Sequence, residues 1–361
     1  MEYDFRSILI VAPQGDKHAM SIAAAIRMAG HDVRVFDTGM WPCGMAASLL
    51  CDEEGTRFVH DGQAVLYDAA WCRRLAFKKE PSAGVHEQDV GFVRSEGLLF
   101  DLGALAVMGG GYGVKRWLNA PLQALLADQK PMQLAVAQAS GLVVPRTLIS
   151  QRPADIRRFR EAERDGVVVK PFNVGAWSED AGYSVSYATR IAAEEEIADG
   201  DLRACPTTYQ EVIRHHGDLR VVCLGGHYVC VKMTHELQGE IDYRAVRHKT
   251  KITYSEFALP ADLAEKLDRL RKRLAIDFFC ADFVMPADGG EPVFMELNPG
   301  GQFLYLDEKV PGLDIARKFC SLLVYGDTVN YQEFSFDSAA VPLVPVAAAD
   351  AASTLSSTLC E

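Results

Sequence analysis

No run in this chain approaches the roughly 20 consecutive apolar residues that a membrane-crossing helix needs. The longest, Ser7 to Pro13 and Gly166 to Lys170, are far shorter. The opening Met-Glu-Tyr-Asp lacks the basic segment and cleavage site of a secretory signal, so a cytoplasmic protein with no membrane role is expected. The nine cysteines are an odd count with no Cys-x-x-Cys pair, which points to free thiols in a reducing compartment. Positive charge is short as well: 37 Lys and Arg against 49 Asp and Glu give a formal net charge of −12. Nucleic acid is thereby excluded as the main partner, because a phosphate backbone requires a basic face. Nucleotides stay open, since they need only a local cationic pocket. A Walker A loop and a Gly-x-Ser-x-Gly elbow are both missing. His215, His216 and His235 have no convergent cysteine and no suitably spaced third histidine for zinc, and no repeat of solenoid period is present.

What is present suits two or three packed units: 361 residues, 49% of them hydrophobic. Ser7 to Ala12 reads as a buried parallel strand, Ile22, Ile26 and Ala29 as a helical stripe closed by Gly30, and Asp32 to Asp37 as a second strand. This strand-helix-strand start is of the doubly wound kind. An α/β unit is expected over residues 1–115, ending in a linker or loop at Gly-Gly-Gly-Tyr-Gly (109–113), whose surroundings do not suit a dinucleotide fingerprint. Beyond it come a helix over Pro131 to Ser140, a helix with Pro153 in its first turn, and the β-branched strand Val167-Val168-Val169-Lys170-Pro171. The run Asn173 to Gly182 reads as a flexible loop. Thr207 to Ile213 is a strand, Leu219 to Met233 a hairpin turning at Gly225-Gly226, and Leu263, Leu267, Leu270 and Leu274 a helical stripe. The tail from Asp337 has few large side chains and reads as disordered.

The densest chemistry lies in a second hairpin, Phe278 to Asn298. Glu296 and Asn298 are two apart in a strand and share a face. A three-residue loop at Asp288-Gly289-Gly290 would set Ala287 opposite Glu291 and Asp282 opposite Glu296. Two carboxylates and an amide oxygen on one surface suit Mg²⁺, which keeps phosphate oxygens and waters as its other ligands; a solvated acidic face is the alternative. Lys170 ends an apolar strand where its ammonium could meet a nucleotide phosphate, or simply be exposed. Lys130 is a cation at a helix start. Gln210, Glu211, Val212 and Ile213 would suit an adenine slot. Asp218 could take ribose hydroxyls and Arg220 lie near the phosphates, or the two could form a structural ion pair. Asp242-Tyr243-Arg244 is a further acid-arginine pair.

Taken in order, Lys130, Val167-Val168-Val169-Lys170-Pro171, Gln210-Glu211-Val212-Ile213, Asp218-Leu219-Arg220, Asp282 and Glu296-Leu297-Asn298-Pro299 resemble the ATP-grasp ligase superfamily. Within it the chain is most similar to the microviridin-type graspetide synthetases, peptide ligases that close ω-ester or ω-amide rings in ribosomal peptides. Gly30 to Thr38, Trp71 to Arg74, Trp117 to Pro121, Ile241 to Arg244 and Gly301 to Tyr305 support this over residues 7 to 325. Tyr243, Gly300 and Cys72 depart from the pattern, which has Trp, Asn and commonly an aromatic there. The resemblance implies an α/β (α+β) ATP-grasp fold. Its parts are a pre-ATP-grasp unit at 1–115, ATP-grasp subdomains at 116–212 and 213–335, and a tail at 336–361. It implies ATP and Mg²⁺, with Lys130 and Lys170 on phosphates and Gln210, Glu211, Val212 and Ile213 around adenine. Asp218 joins the nucleotide set, Asp282, Glu296 and Asn298 hold the metal, and Arg220, Arg244 and Lys170 act in catalysis. An ADP-forming ligase acting through an acyl phosphate follows, with a leader-bearing precursor peptide as partner, and a homodimer is compatible with it. Trp71 to Arg74 and the Leu219 to Arg247 region would form the leader's groove. An amino-acid ligase on a small carboxylate or a protein C-terminus, and a non-catalytic binding protein, are the competing readings.

Overall fold

The computed structural model describes residues 5–13, 15–38, 48–53, 55–60, 63–64, 66–75, 84–172, 176–179, 182–185, 188–193, 195–234 and 251–336. Strand β1 (Ser7–Ala12) is apolar and buried, as a strand covered on both faces must be. Helix α1 (Lys17–Met28) starts at Asp16, whose carboxylate accepts the Ala19 N–H at 2.9 Å, and it buries Ile22, Ala23 and Ile26. Strand β2 (Asp32–Asp37) returns parallel to β1. An antiparallel sheet that the sequence reading did not foresee follows, of β3 (Ser48–Asp52), β4 (Gly55–His60) and β5 (Gln63–Ala64). Then β6 (Ala69–Cys72) pairs parallel to β1 on its other side.

Helix α2 (Val90–Gly109) was also not foreseen. Phe92, Val93, Leu98, Leu99, Leu105 and Met108 spread around it, so no single stripe marks the helical period. The glycine cluster ends this helix: Gly110 is its C-cap, and Gly111 and Gly113 take φ of +98° and +82°, conformations open to glycine. The chain reverses there into β7 (Trp117–Leu118), which completes a parallel sheet of order β2-β1-β6-β7. The cluster is thus a helix-to-strand turn, the reverse of a dinucleotide fingerprint.

Next come α3 (Pro121–Ala127) and α4 (Lys130–Ala139), each with proline in its first turn, then β8 (Thr147–Ser150), α5 (Pro153–Ala162) and β9 (Val167–Lys170). The backbone of the Asn173 to Gly182 run is described only in part, within a hairpin of β10 (Ala176–Glu179) and β11 (Gly182–Val185). With β12 (Thr189–Ile191), α6 (Asp199–Arg203) and β13 (Thr207–Glu211), an antiparallel sheet of order β12-β9-β13-β8 is formed. Val167 and Tyr209 pack on one of its faces against Ile156 of α5 and Leu202 of α6.

The last sheet, β16-β15-β14-β17-β18, contains β14 (His215–Leu224), β15 (His227–Thr234), β16 (Thr253–Glu256), β17 (Phe278–Pro286) and β18 (Val293–Asn298). Helix α7 (Ala261–Leu274) lays its leucine stripe on one face, against Leu219, Val221, Phe279, Ala281, Phe283 and Phe294. The other face reaches the first parallel sheet through α8 (Leu304–Lys309) and α9 (Ile315–Tyr325). Phe319 lies 4.7 Å from Trp71 and 4.8 Å from Phe278, ring centre to ring centre, and each such buried phenyl contributes about 1.5–3 kcal/mol. Beyond this aromatic junction the same face turns polar, at Arg220 and Asp282. Among the described residues no helix is long and apolar enough to cross a membrane.

Candidate nucleotide and metal site

Asp282 stands opposite Glu296, and Cys280 opposite Asn298. This is the expected register, reached by a different route. The ladder resumes at Val284 opposite Val293, so the connection is longer than three residues, and a bulge at Met295 restores the alignment. The bulge has a packing cause. In an unbroken strand Phe294 would share a face with Glu296 and Asn298. The extra residue turns Phe294 and Leu297 together onto the α7 face, with Phe294 5.6 Å from Phe283, and leaves Glu296 and Asn298 on the other.

Arg220, opposite Asp282 on β14, donates from Nη1 to both Asp282 oxygens at 2.7 and 2.8 Å and from Nη2 to Gln302 O at 2.9 Å. Burial works against its charge, but the Asp282 carboxylate outweighs that and holds the guanidinium well above its usual pKa. Both terminal nitrogens therefore orient the Asp282 carboxylate and the loop after β18. Lys130, at the start of α4, brings Nζ to 3.6 Å from Glu296 Oε2. Asp282, Glu296, Asn298, Arg220 and Lys130 are thus gathered at one end of the last sheet.

The loop after β18 is wedged against the first sheet. Arg73, 3% exposed, donates to Gly300 O and lies 3.5 Å from Asp16 Oδ1. A Cβ on Gly300 would stand 2.2 Å from Arg73 O, and one on Gly301 2.5 Å from Cys280 Cβ. The asparagine that the family pattern has at position 300 does not fit this approach. His18 Nε2 accepts the Phe303 N–H at 3.3 Å, and burial, then the nearby Arg73 guanidinium, lowers this imidazole to about 3. Trp71, Cys72 and Arg73 are buried, so this part of the expected leader groove is core packing, and only Arg74 of the four reaches the surface.

Lys170 lies on another sheet. It stands opposite Thr208, and Gln210 lies between Val168 and Thr147, so these side chains share the face turned away from α5 and α6. Gln210 Nε2 donates to Thr147 Oγ1 at 3.0 Å. Gln210 Oε1 and Thr208 Oγ1 are buried without a hydrogen-bond partner. A cavity of about 370 Å³ opens beside Thr147 and Ile149, walled by Pro131, Leu134 and Gln138 of α4. Glu211 points to the opposite face, where its carboxylate accepts the Arg146 N–H at 2.8 Å; its own N–H donates to Arg146 O at 3.0 Å, so only its backbone carbonyl could meet a base. Val212 and Ile213 are half-buried in the link to β14, with Ile213 O 3.0 Å from His215 Nδ1. Asp218 Oδ1 lies 4.0 Å from His215 Nε2. Arg244 with Asp242 and Tyr243, His235, and the tail from residue 337 lie outside the described residues.

Two residues escaped the sequence reading. Asn119 donates to Phe278 O at 2.6 Å and Pro299 O at 3.1 Å and accepts from Asp277 N and Phe278 N, fixing the start of β17 and the end of β18. Gln133, on α4, holds the outer edge of β18. Gln133 left a trace in the sequence, a polar residue at a position of α4 that packs inward beside Ala137.

The donor set fits a magnesium nucleotide. Among the described residues no three His, Cys, Asp or Glu side chains form a metal cage of their own. Two carboxylates and an amide are what a small hard cation takes when phosphate supplies the remaining oxygens. The orphaned Gln210 and Thr208 oxygens await a polar ligand on the other sheet.

This architecture is the ATP-grasp fold. Over 88% of this chain and 96% of the other, it superposes on a RiPP-associated ATP-grasp ligase of Chryseobacterium gregarium, solved with ADP and a leader and core peptide, at TM-score 0.74 and 21% identity. The macrocyclase MdnC of Microcystis aeruginosa, bound to its precursor peptide, matches at TM-score 0.70 and 24% identity over 88% and 98% of the two chains. The ATP-grasp ligase PsnB, complexed with a precursor variant, Mg and ADP, matches at 0.65 and 24% over 88% and 97%. No family model and no curated protein matches the chain.

Proposed function

We propose that this chain is an ADP-forming ligase that activates a side-chain carboxylate of a peptide as an acyl phosphate and joins it to a hydroxyl or amine of the same peptide. The pairing of Asp282 with Glu296, with Asn298 beside them and Lys130 at 3.6 Å from Glu296, carries the reading. A carboxylate is a poor acyl donor because its leaving group would be oxide, so the γ-phosphoryl of ATP must first be transferred to it. Asp282, Glu296 and Asn298 would hold Mg²⁺, which offsets the charge of the transferring phosphoryl group. Lys130 and Lys170 would draw phosphate oxygens from two sides, and Gln210 to Ile213 would seat the base. Arg220 would keep the Asp282 carboxylate aimed. Orientation of the acyl phosphate against its nucleophile can lower the barrier by roughly 7–11 kcal/mol. Arg244 would take the substrate carboxylate.

A peptide substrate is favoured because the three neighbours described above, a RiPP-associated ATP-grasp ligase, a macrocyclase and the ATP-grasp ligase PsnB, are solved with leader and core or precursor peptides. We place the three units at 1–115, 116–212 and 213–335, and the protein in the cytoplasm, in keeping with the free thiols among the described residues. Incubating the chain with ATP, Mg²⁺ and a short peptide encoded beside its gene should release ADP and phosphate and remove one water mass per bond. Release of AMP, or addition of a residue mass, would move the protein to another class.

A further inference from the structure

Gln133 lies one helical turn after Lys130 on α4 and is 3% exposed. Its side-chain amide works at both ends: Oε1 accepts the Leu297 N–H at 3.0 Å, while Nε2 donates to Leu297 O at 2.6 Å and to Ala127 O at 2.8 Å. Strand β18 is the outer strand of its sheet. The peptide groups of Leu297 that face away from β17 would otherwise be buried without partners, at about 1–3 kcal/mol each. One glutamine thus replaces a neighbouring strand, at one residue.

That residue sits between Glu296 and Asn298. Fixing both polar groups of Leu297 fixes the twist of the strand there, and with it the directions in which Glu296 and Asn298 project. The same turn of α4 presents Lys130 to Glu296 at 3.6 Å. We propose that Gln133 is a positioning residue: its grip on Leu297 holds the metal-binding edge of β18 and the cation Lys130 in one rigid unit, so that Mg²⁺ and phosphate meet a preset geometry. The inference rests on the magnesium-nucleotide reading above. Glutamine is required because donor and acceptor must lie in one plane at this reach; glutamate keeps only the acceptor, and methionine keeps only the bulk.

The test uses the full chain and the variants Gln133→Met and Gln133→Glu. It follows ADP binding by calorimetry across a Mg²⁺ series, thermal unfolding, and kcat and KM for ATP and peptide. Outer partners of metal ligands typically change metal affinity 10–100-fold. Gln133→Met should therefore raise the Mg²⁺ needed for half-maximal ADP binding by about tenfold or more, and lower kcat with little change in the peptide KM. Gln133→Glu, whose carboxylate would face the Leu297 and Ala127 carbonyl oxygens, should raise that Mg²⁺ requirement at least as much, and whichever of the two variants folds carries the test. Variants that melt earlier yet keep the wild-type Mg²⁺ dependence would overturn the inference and leave the functional reading standing. A wild-type chain that binds no ADP in the presence of Mg²⁺ would overturn both.

Discussion

The Arg220 guanidinium holds the Asp282 carboxylate from the neighbouring strand, with one nitrogen 2.7 and 2.8 Å from its two oxygens and the other 2.9 Å from Gln302 O. One side chain thereby ties the carboxylate that we propose as a metal ligand to the loop after β18. Lysine carries the charge but cannot span both partners. Arg220→Lys should cost about 1–3 kcal/mol in urea unfolding and weaken Mg²⁺-dependent turnover. Arg220→Met, which strands a carboxylate in a half-buried site, should cost more. Wild-type stability and turnover in Arg220→Lys would show that Asp282 is held by something else.

Glu296→Gln removes one negative charge from the proposed metal face and preserves shape. The Lys130 partner is about a third exposed, 32% against 30% for Glu296, so the lost ion pair should change stability by less than about 1 kcal/mol. Turnover should fall on the order of 10²-fold, the scale on which removing one electrostatic contact to a transition state is felt. Turnover near wild type would remove Glu296 from the metal set.

How far the site was legible before folding depended on whether a residue acts within its own element or across the chain. Glu296, Asn298 and Asp282 could be placed because strand alternation and one hairpin register relate them, and the bulge at Met295 happened to compensate a loop drawn too short. Gln133 and Asn119 act over separations of more than 150 residues, which local periodicity does not carry. Strands β3 to β5 are short and mostly exposed, and α2 has apolar residues on all sides, so neither has the contrast between faces that makes an element readable. Arg220 was placed near phosphates from its strand position; its side chain turns sideways to Asp282, a choice set by its neighbour in the sheet.

Gly300 offers a test of the wedge between the first sheet and the site. A Cβ there would lie 2.2 Å from the Arg73 carbonyl oxygen, a backbone atom with little room to move. Gly300→Ala should therefore destabilise the fold by about 1–3 kcal/mol, the usual cost of overpacking, and shift the Asn298 side of the proposed metal face, raising the Mg²⁺ requirement. Gly289→Ala serves as a comparison in the hairpin turn, where the added Cβ meets nothing and only its φ of +82° is unfavourable. Equal effects of the two substitutions, with Mg²⁺ dependence unchanged in both, would mean that the wedge does not set the site.

His18 makes the fold sensitive to mild acid. Its imidazole is held at about 3 in the folded chain, by burial first and the Arg73 guanidinium second, against an ordinary value of 6.5. Between those two values the unfolded chain takes up a proton that the folded chain refuses. The stability that His18 contributes is therefore fully present above about pH 6.5 and drains away as pH falls, by at most about 1.4 kcal/mol per pH unit for one group. Protonation would also oppose the acceptance of the Phe303 N–H by Nε2, beside the Gln302 carbonyl that Arg220 grips. Urea unfolding at pH 7, 6 and 5 should show falling stability in the wild type and a shallower slope in His18→Gln, whose amide oxygen can still accept that N–H but has no proton to gain. The range from pH 7 to 5 lies above the ordinary carboxylate range, and any shifted carboxyl titrates in both proteins, so the difference between the slopes isolates His18. Parallel slopes would show that the ring titrates alike in the folded and unfolded chain.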